Sequence, residues 1–162
     1  MPRSPQALAA ALGGALLVLV ACNDPAPHGD LDTLCDVMDG HGSAGVGAAN
    51  TVFSAAKYDV SEPGYPHIIV LYTDTTDFGG YVLFNSKDSA RYIFASDTRM
   101  TWKLFDLNQV VVPDESGDHF DSGCNIAVYR YYRLGPNRSY KLYFHASPKD
   151  SITFSNQIFS LL

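Results

Sequence analysis

The chain has 162 residues, of which 46% are hydrophobic and 12% aromatic, enough apolar material for one packed domain. Its 11 Lys and Arg stand against 17 Asp and Glu, a formal net charge of −6, so it has no cationic stripe to lie along a phosphate backbone, and nucleic acid is not an expected partner. The same acidity argues against electrostatic docking on anionic lipid.

The first element is an apolar run from Ala7 to Val20, made almost wholly of Ala, Leu, Val and Gly and preceded by Arg3. At about fourteen residues it is too short to cross a hydrocarbon core of about 30 Å as a helix, and its positive start fits an export signal. The run ends in Leu19-Val20-Ala21-Cys22. These four residues resemble the lipobox of bacterial lipoproteins. The resemblance implies cleavage between Ala21 and Cys22 and acylation of Cys22, palmitate being one such acyl group. Each buried methylene would contribute about 0.8 kcal/mol to membrane attachment. In Gram-negative lipoproteins an Asp directly after the cysteine favours the inner membrane; here Asn23 follows, which points to the outer membrane or cell surface. The expected division is a signal peptide over 1–21, a lipidated tether over 22–29 and a single domain over 30–162.

Asn23 to Gly29 is a Pro-, Asp- and His-containing spacer that cannot form a core. A short helix is predicted from Asp30 to Asp39: Asp30 can cap it, Leu31, Leu34, Cys35 and Met38 share one face, and Gly40 can end it. With Cys22 committed to lipid, Cys35 and Cys124 remain as an even pair in an oxidising compartment, and a disulfide between them is expected. The competing possibility makes Cys35, Met38 and His41 soft ligands for copper. The Gly- and Ala-rich stretch from Gly42 to Asn50 reads as an irregular connector.

Beyond it lie short apolar and aromatic runs separated by turn residues. Strands are predicted at Thr51–Tyr58, His67–Tyr72, Gly80–Asn85, Arg91–Ser96, Thr101–Asp106, Val110–Val112, Asn125–Leu134, Ser139–His145 and Ser151–Ile158. Phe78-Gly79-Gly80, Leu107-Asn108-Gln109 and Gly135-Pro136-Asn137 supply turn chemistry between runs. Alternation places Trp102 and Leu104 on one face of their strand and Thr101 and Lys103 on the other, and Tyr140, Leu142 and Phe144 repeat the pattern. The expected fold is all-β, an antiparallel sandwich of about eight or nine strands. The series Tyr92-Ile93-Phe94, Trp102-Lys103-Leu104-Phe105-Asp106 and Leu134-Gly135-Pro136-Asn137-Arg138-Ser139-Tyr140-Lys141-Leu142 resembles bacterial pre-peptidase C-terminal-type jelly-roll domains over about Gly80 to Phe154. The overall layout also resembles uncharacterised Gram-negative lipoproteins. Such domains act mostly as accessory or binding modules, which is what the resemblance implies here.

Three groups of side chains could carry chemistry. Asp114, Glu115, Asp118 and Asp121 crowd one loop, and carboxylates are the hard oxygen ligands Ca²⁺ prefers, although the spacing is not that of an EF-hand. The alternative is a solvated acidic loop. His41 and His119 are the histidines that a Cys35–Cys124 bridge would draw together, giving, with Met38, a softer metal site as an alternative. Tyr129, Tyr131 and Tyr143 could stack on sugar rings or anchor a protein partner, the alternative being ordinary cross-strand packing. No G-x-S-x-G elbow or phosphate-cradling glycine loop occurs, so no enzymatic activity is expected. The sequence thus points to a lipid-anchored, non-catalytic interaction or structural domain of the cell envelope, without a cofactor and with an envelope protein or glycan as partner. Its alternative is an envelope lipoprotein that binds calcium or copper.

Overall fold

The structure, a computed structural model, describes residues 28–40, 44–51, 54–55, 58–74, 76–115 and 123–159. Among them lie one helix, α1 (His28–Asp39), and ten strands. The strands are β1 (Ala44–Gly47), β2 (His67–Val70), β3 (Tyr72–Asp74), β4 (Asp77–Ser86), β5 (Ala90–Ser96), β6 (Thr101–Phe105), β7 (Val111–Val112), β8 (Val128–Leu134), β9 (Arg138–Ser147) and β10 (Ser151–Phe159). They form two five-stranded sheets, in the orders β1-β2-β10-β5-β8 and β3-β4-β9-β6-β7. The protein is an all-β sandwich, antiparallel except where β1 runs parallel to β2.

Alternating apolar residues of both sheets make the core. Val82 and Phe84 from β4, Trp102 and Leu104 from β6, and Tyr140, Leu142 and Phe144 from β9 meet Tyr92, Phe94, Tyr132, Ile152 and Phe154 of the facing sheet. The aromatic rings meet mostly edge to face: Phe84 and Phe94 are 4.8 Å apart, and Phe154 lies 5.5 Å from Phe144 and 6.5 Å from Trp102. Such pairs contribute about 0.5–1.5 kcal/mol each beyond the area they bury. Arg130, itself buried, donates from Nη1 to the Trp102 carbonyl at 2.6 Å and lies over the indole ring at 4.8 Å.

A second, smaller core explains why β5 is apolar on both faces. Helix α1 covers the outer side of the first sheet, so that Leu34 and Met38 pack with Ile93, Ala95, Ile126, Tyr131 and Phe159. Tyr92 and Phe94 face the other way, into the main core. Cys35 and Cys124 are joined in a disulfide with their Cα atoms 5.5 Å apart, and Asp39 accepts a hydrogen bond from the Asn125 amide at 3.0 Å. The C-terminal half of α1 is therefore pinned at the entrance to β8.

Several expected elements differ. Gly42 to Asn50 is not wholly irregular: its residues 44–47 form β1, a Gly-rich strand made by pairing with β2 rather than by propensity. Its small residues matter further on, because Ala48 lies against Gly80, where an added Cβ would sit 2.5 Å from the Ala48 Cβ. The strand expected at Thr51–Tyr58 does not form at its described positions. Ser54 and Ala55 sit in a 3₁₀ turn, with Ser54 N bonding to the Thr51 carbonyl at 3.1 Å and Tyr58 N to that of Ala55 at 3.0 Å. Local turn bonds replace the ladder there, helped by a hydroxyl pair between Thr51 and Ser54. The run His67–Tyr72 splits at Leu71, whose amide bonds to the Asp150 carbonyl at 2.7 Å, so that β2 joins one sheet and β3 the other. The last expected strands begin or end a few residues away from their predicted limits, β8 starting only at Val128.

The crossings fix two ends of the sandwich. The turns at 87–89 and 135–137 and the β6–β7 turn lie at one end, and those at 97–100 and 148–150 at the other.

Candidate functional site

The acidic segment is partly described, and its two described carboxylates already have cationic partners. Glu115 lies 2.7 Å from Arg91 Nε and 2.9 Å from Arg133 Nε, and its amide bonds to the Tyr131 carbonyl at 2.9 Å. Arg91 in turn lies over the Tyr131 ring at 4.1 Å and 5.3 Å from that of Phe159. Asp114 faces Arg130 at 3.8 Å. Burial alone would raise the pKa of Glu115, but the hydrogen bond and charge of Arg133, followed by Arg91, hold it below its ordinary value. These two acids thus strap the β7–β8 connection across the edge of the first sheet. Asp118, Asp121, His119, His41 and Cys22 lie outside the described residues. Among the described residues, no group of three or more His, Cys, Asp or Glu could hold a metal ion. Cys35 is committed to the disulfide and Met38 is buried under α1, so the soft-ligand arrangement of Cys35 and Met38 does not form.

The tyrosines divide between the two sheets. Tyr129 and Tyr131 meet edge to face at 5.9 Å, and Tyr131, 5% exposed, belongs to the core beneath α1. Tyr143 is on the outer face of the other sheet, in a cross-strand stack that pattern reading missed. Tyr81 stacks on it at 4.4 Å with 20° between planes, and His145 stacks at 5.3 Å with 13°. Because β4 and β9 pair Tyr81 directly with Tyr143, the rings rise side by side from the sheet. Beside this stack a groove of about 320 Å³ is lined by Tyr72, Thr73 and Asn50 along with Tyr81 and Tyr143. Tyr72 is 48% exposed there. Burial, with Lys103 and Arg130 nearby, lowers the pKa of His145, keeping the imidazole neutral within the stack.

A second depression, of about 420 Å³, is lined by Asp59, Ser61, Glu62, His67 and Lys87. Asp59 is held by the hydroxyl and amide of Ser61 and by Asn85 Nδ2 at 2.9 Å. His67 is buried, and neither ring nitrogen completes a hydrogen bond; Tyr65 packs against it edge-on at 5.4 Å. Burial lowers its pKa, against the carboxylates of Glu62 and Asp59 and the Glu62 carbonyl, which raise it. A lone histidine at a strand start gives no signal of this in sequence.

No known family model matches the chain, and no curated protein matches it. Among the described residues, no helix is long and apolar enough to cross a membrane.

Proposed function

We propose that the protein is an exported lipoprotein, held at the outer membrane or cell surface by acyl chains on Cys22, whose sandwich is a non-catalytic interaction module. The observation that carries this reading is the Cys35–Cys124 disulfide. A bridge between residues 89 apart in sequence suits an oxidising compartment, and it leaves Cys22, at the end of the apolar leader, as the unpaired cysteine of three. The surface best suited to a ligand is the groove beside Tyr81, which combines the aromatic rings of Tyr72, Tyr81 and Tyr143 with the polar side chains of Asn50 and Thr73. That pairing suits a sugar ring, whose C–H face stacks on an arene while its hydroxyls find polar partners, and the ligand in this reading is an envelope glycan.

The test is fractionation of cells producing the full chain or its Cys22→Ser variant, followed by retention on immobilised envelope glycan. The wild-type protein stays with membranes and the variant does not; in detergent both bind glycan, and Tyr81→Ala abolishes that binding. Equal membrane association of wild type and Cys22→Ser would refute the anchor. Glycan retention unchanged by Tyr81→Ala would refute the groove.

A further inference from the structure

The β6–β7 hairpin ends in an apolar tip that the core does not use. Leu107, Val110 and Val111 are 62%, 61% and 51% exposed. The turn that displays them is tightly built. Gln109 N bonds to the Asp106 carbonyl and Asp106 N to that of Val110, each at 3.0 Å, and Asp106 Oδ1 accepts from the amides of Asn108 and Val110, both at 2.9 Å. Gln109 has φ 63°, the left-handed residue that closes a three-residue hairpin loop after a type I turn. Leu107 at the apex is therefore held outward by backbone geometry.

The chain places this tip at the end of the sandwich from which its N-terminal segment departs. Cys35 and Asp39 tie the C-terminal half of α1 to Cys124 and Asn125, before β8. The helix also packs on β10, whose Phe159 belongs to the core under α1 and pairs with Arg91 at the start of β5. The N-terminus of α1 is thus turned toward the end that holds the 87–89, 135–137 and β6–β7 turns. Residues 22–27 precede it, six residues that reach roughly 20 Å at full extension. Nor does charge oppose an apolar surface there: Glu115 is engaged by Arg91 and Arg133 and Asp106 by its own turn, while Lys87 and Arg138 stand exposed beside Asp88.

We propose that Leu107, Val110 and Val111 dip into the same bilayer that holds the acyl chains of Cys22, so that the domain rests on the membrane in one orientation instead of swinging on its tether. The proposal rests on the anchored reading for its direction. A short tether keeps the tip within reach of the lipid, and burying three apolar side chains at the interface favours the contact.

The test uses the full chain reconstituted in phosphatidylcholine–phosphatidylethanolamine vesicles, with an environment-sensitive fluorophore at Asn108→Cys or, at the opposite end, at Asp150→Cys. The mass of the Cys22 peptide is read on the same samples, so that failure of the anchor is seen separately. The label at 108 is expected to shift blue and to be quenched by lipid-borne quenchers at least about twofold more than that at 150, a difference removed by Leu107→Ser with Val110→Ser. Equal water exposure of the two labels on protein whose Cys22 is acylated would overturn the proposal. So would shielding at 108 that appears only at high protein-to-lipid ratio without lipid quenching, because that outcome means a second copy covers the tip.

Discussion

Replacing Cys35 and Cys124 by Ser removes the disulfide cross-link between α1 and the sandwich. The bridge closes a loop over 89 positions. Loop-closure entropy for about 90 residues amounts to between 4 and 5 kcal/mol at 25 °C, lost from the unfolded ensemble when the link is absent. Contacts of Leu34 and Met38 with Ile93, Ala95 and Phe159 remain in the variant, so α1 can still dock and the native core changes little. Most of the effect should therefore arise in the unfolded state. Urea unfolding followed by Trp102 fluorescence would show the midpoint falling by an amount equivalent to about 4 kcal/mol. The slope would rise as well, because an uncrosslinked chain exposes more surface when it unfolds. Trp102 is a suitable reporter, at 1% exposure in the main core. A loss below about 1 kcal/mol with an unchanged slope would refute the reasoning.

Glu115→Gln leaves Arg91 and Arg133 facing each other without their shared carboxylate; as the pair is partly in water, the expected loss is only about 0.5–1 kcal/mol, measured by thermal melting at low salt and shrinking at high salt. Its folded-state pKa lies below the ordinary value, so its contribution is present above the unfolded carboxylate pKa near 4.5 and is lost as pH falls through the folded one; the wild-type and Gln curves should converge in acid. For His67 the folded pKa lies below the ordinary 6.5, so the unfolded chain takes up the proton first and stability drops as pH falls below about 6.5. His67→Gln should flatten that part of the pH–stability profile, leaving the slope due to His145; an unaltered profile would show that His67 is not held neutral. Gly80→Ala would drive a Cβ to 2.5 Å from that of Ala48 and 3.2 Å from the Ala49 carbonyl, and should cost about 1–3 kcal/mol in chemical denaturation.

Period-two patterning carried most of the fold. Trp102 and Leu104 point inward and Thr101 and Lys103 outward, as their alternation requires, and Tyr140, Leu142 and Phe144 do the same on β9. What escaped was set by tertiary pairing. The Ala44–Gly47 strand has no β-forming side chains beyond Val46, yet it pairs with β2, while Val52 and Phe53 helped a strand prediction that local turns at Thr51–Ser54 and Ala55–Tyr58 override. The continuous apolar run of β5 made sense only once α1 was seen to cover its second face. Among the site candidates, the cysteine pairing was legible by counting. The aromatic surface was only half legible, because Tyr143 finds Tyr81 across a β4–β9 register that no local pattern encodes, and Tyr131 faces the helix instead of solvent. Nor does local sequence show that Arg91 and Arg133 converge on Glu115 and that Arg130 faces Asp114.

The proposed anchor on Cys22 is the premise on which both the envelope compartment and the membrane contact of the β6–β7 tip rest. Intact mass and fragment analysis of the protein extracted from envelopes of a Gram-negative host tests it most directly. The expected product is a mature chain that begins at Cys22, with acyl chains on that residue and Cys35 linked to Cys124. A chain that retains Met1, or one that begins near position 22 with an unmodified Cys22, would contradict it.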